Sequence, residues 1–148
     1  MSILANMFGV QTDYLTPSQD VIGLLRRYDI SPTRQRVEIG EVLFCRNQHV
    51  TAEFVLERVN STKHTVSKAT VYNTLGLFAA KGLLKEVVVD PTKRFYDTNI
   101  HPHHHLFYTQ SGRLEDIDAN DIKVDGLPTI PQGMEVEGID VIIRVRGA

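Results

Sequence analysis

SKATVYNTLGLFAAKGLLKEVVVDPTKRFYD, residues 67–97, is the stretch whose reading decides the fold. Ser67 is a favoured N-cap type, and Val66 and Val71 flank it at the spacing of a hydrophobic staple. A helix is therefore predicted from Lys68 to Lys81, with Val71, Leu75 and Phe78 as its buried stripe and Gly82 as the residue that closes it. Two short β-rich runs follow, LLKEVVVD and KRFYD, separated by Asp90-Pro91-Thr92. That is turn chemistry between strands, and it predicts a hairpin.

The pattern upstream is helical. Val21, Leu24, Leu25 and Tyr28 recur at i, i+3, i+4 and i+7 from Pro17 onward. A second helix is expected from about Thr33 to Cys45. A third starts at Thr51, with Val50 and Val55 as its staple. Residues 1–16 show no period and read as a loose arm. Four helices followed by a two-stranded ribbon is the element order of a winged helix–turn–helix.

Downstream of Asp97 the character changes. HHHLFYTQSGRLEDI reads as two strands around Ser111-Gly112, residues 120–133 as a Pro- and Gly-containing loop, and MEVEGIDVIIRVR as a third strand. The expected fold is α+β, with a winged-helix domain over residues 1–97 and a small β-rich domain over 98–148. Such a sheet of about 50 residues is marginal alone, so a second copy is expected to cover it as a homodimer.

The 148 residues are 42% hydrophobic and 23% charged, with 10 Gly and 6 Pro. This ordinary globular composition excludes collagen-like, disordered and coiled-coil classes. No apolar run is long enough for a membrane helix, and the N-terminus lacks the basic start of a signal peptide. The single cysteine, Cys45, precludes a disulfide within the chain and points to the cytoplasm. Net charge is −2, but residues 1–97 carry 12 Lys and Arg against 10 Asp and Glu, whereas residues 98–148 carry 4 against 8. Between Arg58 and Arg94, seven basic residues face only Glu86 and Asp90, a local excess suited to a polyanion.

On the helix from Lys68, the side away from the buried stripe carries Lys68, Ala69, Tyr72, Asn73 and Gly76. An amide there can pair with adenine and a methyl can meet thymine, so this is the face of a major-groove reader. Ser67 and Lys68 at its start, with Lys93 and Arg94 in the hairpin, are expected phosphate contacts. Thr70 and, further upstream, Arg34 and Arg36 complete the expected DNA-binding set.

Four of six histidines lie in HPHHH: His101, His103, His104 and His105. On a strand, His103 and His105 share a face and His104 takes the other. Two imidazoles make half of a transition-metal site. Asp97, Glu115 and His49 are the expected completing ligands. Imidazoles and carboxylates favour Mn(II), Fe(II) or Zn(II). His64 and Cys45 have no such company, and read as a surface residue and a small apolar one.

Thr33-Arg34-Gln35-Arg36, HVTAEFVLERV, SKATVYNTLGLF, KRFYD and HPHHHL together resemble the ferric uptake regulator family over about residues 17–117. The resemblance implies a dimeric, metal-sensing transcription regulator and no enzyme, with a regulatory metal site at a hinge. Carried over by position, its ligands are His49, Asp97, His103, His105 and Glu115, and its base-contacting tyrosine is Tyr72. Two features depart from the family pattern. The CxxC pairs of a structural zinc site are missing, since Tyr108 to Ser111 and Val141 to Arg146 contain no cysteine, so a Cys-based zinc is excluded. Asn73 also stands where the family often has Arg, which sets the usual operator aside.

Both departures, with HPHHH, resemble the iron response regulator (Irr) branch, which implies a response to haem in iron and haem homeostasis. Cys45 is followed by Arg46, so a Cys-Pro haem motif is absent, and any haem would use His101, His103, His104 or His105. The expected partner is duplex DNA with a pseudo-palindromic operator. The alternatives are a peroxide-sensing repressor of the same family and a metal or haem binder with no DNA role.

Overall fold

In the computed structural model, residues 17–61 and 66–147 are described. The expected arm over 1–16 and His64 lie outside the described residues. The chain divides into two compact units after Ile100. This is three residues beyond the boundary expected from sequence, because Thr98 and Asn99 are tied to the first unit. The Thr98 N–H donates to Gln48 O at 3.2 Å, the Gln48 N–H donates to Thr98 Oγ1 at 3.0 Å, and the Asn99 N–H donates to Asp97 Oδ1 at 2.9 Å.

The first unit holds α1 (Pro17–Arg27), α2 (Arg34–Phe44), β1 (His49–Val50), α3 (Ala52–Val59), α4 (Lys68–Ala80), β2 (Lys85–Asp90) and β3 (Lys93–Asp97). Thr33, Thr51 and Ser67 cap α2, α3 and α4, each side-chain oxygen accepting the N–H three residues on. This satisfies one otherwise orphaned donor per helix. Gly82, at φ +83°, ends α4 in the left-handed region, and the Leu83 N–H returns to Phe78 O at 2.9 Å, as a helix-terminating glycine allows.

The core gathers the apolar stripes of all four helices. Leu25, Ile39, Leu43, Val55, Val71, Leu75 and Phe78 are fully buried, and Phe44 lies 6.2 Å from Phe78, ring centre to ring centre. α1 and α2 touch at Gly40, where an added Cβ would stand 2.5 Å from Val21 Cγ1. The strands order as β1-β3-β2, all antiparallel. At the hairpin tip, the Thr92 N–H donates to Asp90 Oδ1 at 2.7 Å. β1 is a two-residue strand that sequence periodicity could not reveal. It exists because Val50, packed in the core, sets the register His49 opposite Asp97.

The second unit holds β4 (His103–Tyr108), β5 (Leu114–Asp118), a 3₁₀ turn over Ala119–Asp121 and β6 (Ile142–Val145), in the order β5-β4-β6. β5 pairs antiparallel to β4 and β6 parallel to it. The third strand is shorter than expected. Residues 134–141 lie outside the strand, although Val141 O accepts the His105 N–H at 3.1 Å, and the paired positions beside β4 are Ile142–Val145.

Candidate metal centre and nucleic-acid interface

In the first unit, register places His49 and Asp97 side by side on β1 and β3. His49 Nε2 stands 3.3 Å from Asp97 Oδ2, and the Asp97 side chain is buried. Asp97 sits on the central strand, and its other oxygen accepts the Asn99 N–H. The buried carboxylate is thereby oriented from one side by backbone and from the other by imidazole.

In the second unit, His103 and His105 share one face of β4, with His103 Nε2 3.1 Å from His105 Nε2. Both are buried. Asp116, directly across from His105 on β5, brings Oδ1 to 3.3 Å from His103 Nε2 and 3.5 Å from His105 Nε2. His103 Nδ1 lies 2.6 Å from the His101 carbonyl. A carbonyl can only accept, so Nδ1 carries the hydrogen, and in the neutral imidazole Nε2 then carries a lone pair directed at its neighbours. Two buried imidazoles and the exposed Asp116 carboxylate converge as a set that could hold a cation, and the carbonyl behind His103 is the usual support of a ligating histidine. Nitrogen and oxygen donors without thiolate suit Mn(II), Fe(II) or Zn(II).

The structure does not bring Glu115 to this face. Glu115 lies across from Leu106, on the opposite side of the sheet. There it accepts the Tyr108 hydroxyl at 3.1 Å and pairs with the Arg113 guanidinium. The alternation of a strand allows Glu115 or Asp116 beside His105, not both, and the register selects Asp116. Sequence reasoning missed Asp116 because one residue of register decides it. The pairing of HHH against EDID around Ser111-Gly112 is the signal that could have found it.

The haem candidates are similarly sorted. His104 faces away from His103 and His105, buried, with Nδ1 accepting the Val141 N–H at 3.1 Å. His101 sits exposed in the bend before β4. The four imidazoles therefore do not converge.

On α4, Lys68, Ala69, Tyr72 and Asn73 are exposed while Val71, Thr74, Leu75 and Phe78 are buried. A groove of about 490 Å³ runs between α3, α4 and the hairpin, and Tyr72, Lys93 and Arg94 line it. Lys68 Nζ stands 5.8 Å from the Tyr72 ring centre. Ser67 Oγ accepts the Thr70 N–H at 3.1 Å, and its hydroxyl donates to Thr70 Oγ1 at 2.9 Å, so both hydroxyls are engaged in the cap. Arg34 and Arg36 lie on the first turn of α2, outside that groove. Arg34 pairs with Glu38 at 2.9 Å and Arg36 donates to Ser31 O at 2.9 Å.

One residue of this surface escaped the sequence reading. Glu53, in the first turn of α3, accepts the Tyr72 hydroxyl at 2.5 Å. That bond holds the Glu53 carboxyl below its ordinary range and pushes the Tyr72 phenol up.

Four helices, a β-ribbon and His and Asp side chains that could hold a metal ion make this a mixed helix-and-sheet protein with a candidate cation site. The chain belongs to the ferric uptake regulator family, whose profile matches residues 28–143. The peroxide-responsive repressor PerR of Staphylococcus aureus (strain Mu50 / ATCC 700699) is 31% identical over 98 residues, 66% of each chain. The chain thus spans about two thirds of the length of the curated relatives it matches. Among solved structures, the ferric uptake regulator from Pseudomonas aeruginosa with manganese superposes with a TM-score of 0.65 at 22% identity, over 86% of this chain and 97% of that one. The Vibrio cholerae ferric uptake regulator, described with rearranged DNA-binding domains, gives 0.65 at 17% identity, over 85% and 98%. These two likenesses establish the fold.

Proposed function

We propose that the protein is a homodimeric, metal-responsive DNA-binding transcription regulator, with α4 as its reading helix and no catalytic role. The observation that carries this is the pair of candidate ligand sets, His49 with Asp97 and His103 with His105 and Asp116, on one chain with a helix that exposes Lys68, Ala69, Tyr72 and Asn73. Family membership supports it, as do the relatives named for a peroxide-responsive repressor and for ferric uptake regulators. His49 and Asp97 supply two donors and His103, His105 and Asp116 three, so neither set alone fills a five- or six-coordinate shell. Only the five residues from Thr98 to Pro102 separate Asp97 from His103 along the chain. A Mn(II) or Fe(II) ion held by these donors would supply a fixed, positively charged centre. The residues then do the rest: His103 is held in its ligating tautomer by the His101 carbonyl, and Asp97 is held by Asn99. Lys68, Lys93 and Arg94 meet phosphates while Tyr72 and Asn73 face base edges. DNA binding responds to metal only if the two arrangements of the units differ in metal affinity.

Dimerisation follows from the second unit. Among its described residues, Phe107 and Leu114 are its only buried apolar side chains, while Leu127, Met134 and Val136 are about half exposed or more. That is too little core for an independent unit. No described helix is long and apolar enough to cross a membrane. The location proposed is the cytoplasm and the partner is duplex DNA with a pseudo-palindromic operator.

Fluorescence anisotropy on an inverted-repeat duplex, at one stated salt concentration, tests the proposal metal-free, with Mn(II) and with haem. Mn(II) is expected to tighten binding in the wild type and to have no effect in His103→Ala/His105→Ala. Unchanged metal response in that variant would sink the reading. Loss of binding on adding haem would favour the Irr-like reading, for which HPHHH and the missing cysteines speak. The similarity to a peroxide-responsive repressor favours a second reading, in which an oxidisable ligand senses peroxide. Addition of an oxygen atom to His49 or His103 of the Fe(II)-loaded protein, read by mass spectrometry after peroxide, separates it from the first.

A further inference from the structure

A carboxylate beside the reading tyrosine is an odd neighbour for a polyanion. Glu53 stands on α3, its carboxylate 2.5 Å from the Tyr72 hydroxyl, in the groove that Lys93 and Arg94 also line. Glu53 and Tyr72 are both exposed, so the bond is not a way of satisfying buried groups. A phosphate seated in this groove against Lys93 or Arg94 also faces the Glu53 carboxylate, which weakens sequence-independent binding.

The chemistry of the pair supplies a reason for it. A phenol has one hydrogen to donate and two lone pairs to accept with, whereas an ionised carboxylate only accepts. The hydrogen of Tyr72 is therefore committed to Glu53, and what the hydroxyl offers outward is acceptor capacity. In the major groove the donors are the N6 amine of adenine and the N4 amine of cytosine. Guanine N7 and O6 and thymine O4 are acceptors. An outward acceptor meets the first group favourably and the second with lone pair against lone pair.

We infer that Glu53 is a positioning residue for recognition: it fixes the polarity of the Tyr72 hydroxyl, so that the base beneath Tyr72 is one that presents an amine, adenine or cytosine. It also disfavours indiscriminate phosphate binding. Specificity at that position then comes from repulsion of the wrong edge as much as attraction of the right one. This rests on the reading of α4 as the DNA-contacting helix.

The test is selection of bound sequences from a random duplex library by the full chain with Mn(II), paired with affinity for a single non-selected duplex at fixed salt. The proteins compared are wild type, Glu53→Ala, Tyr72→Phe and the double variant. Alanine is a good helix former at this exposed position, and circular dichroism checks that the helices persist. Glu53→Ala is expected to relax preference at one position per half-site, to tighten binding to the non-selected duplex, and to lower the specific-to-non-specific ratio about tenfold. Tyr72→Phe is expected to relax the same position, and the double variant to add nothing there. If Tyr72→Phe relaxes a position that Glu53→Ala leaves intact, the inference about Glu53 is overturned while the reading helix stands. If neither substitution alters preference, the Tyr72 hydroxyl does not read bases and the inference fails; an Asn73→Ala variant that also leaves preference unchanged in the same selection would overturn the assignment of α4.

Discussion

At the scale of single residues, Asp116 carries the most consequence, because it would complete the candidate ligand set that HPHHH opens. Asp116→Asn keeps the shape and removes the charge, and the Mn(II) affinity of the protein is expected to fall at least about tenfold, the scale on which ligand and support losses act. Glu115→Gln, on the far face with Tyr108 and Arg113, should leave that affinity unchanged. A competition titration against a metal-sensitive dye compares the two, and equal losses would refute the register argument. The candidate ligands His49, Asp97, His103 and His105 were legible as residue types. Which of two adjacent acids joins them was not, because sequence gives both and only strand pairing chooses. Glu53 was invisible for a related reason. Its partner Tyr72 lies on a different helix, and no periodicity connects positions 19 residues apart.

At the scale of elements, the helices were written locally. Thr33, Thr51 and Ser67 announce their starts by cap chemistry that operates within three residues, and Gly82 announces a stop. The contact between α1 and α2 is different, since it depends on Gly40 offering no side chain to Val21. Gly40→Ala adds a Cβ where Val21 Cγ1 already stands, 2.5 Å away, so the Val21 side chain or one of the two helices must shift. Overpacking of this kind costs about 1–3 kcal/mol, outweighing the roughly 1 kcal/mol that alanine gains over glycine within a helix. Urea unfolding with an unchanged slope and a lower midpoint is the expected result. A midpoint at or above wild type would show that the contact yields freely. β6 was read as one long strand because MEVEGIDVIIRVR is β-prone throughout. Pairing, not propensity, set its length, since β4 offers a partner only to Ile142–Val145.

At the scale of the molecule, the two units are unequal. The first carries a core drawn from four helices and the hairpin. The second buries Phe107 and Leu114 together with three histidines, and leaves Ile143 on β6 exposed. A self-associating second unit gains stability by mass action, about 1.4 kcal/mol for each tenfold rise in protein concentration. The thermal midpoint should therefore climb by a few degrees per decade of concentration, and a midpoint independent of concentration would make the protein a monomer. The change in composition after Asp97 revealed this inequality in outline, since its strands come with no helix to cover them.

The parallel seating of β6 against β4 bears on how the chain survives a protease. Lys123 is well exposed and followed by residues in no regular structure, so a trypsin-like enzyme finds an open bond there. Until that bond is cut, β6 is delivered to its place by its own tether at high effective concentration. Afterwards a four-residue strand must hold by its hydrogen bonds to β4 and the partial burial of Ile142 and Val145, and dilution favours its release. A nick at one exposed lysine thus converts a permanent strand into a dissociable peptide and leaves one side of β4 open.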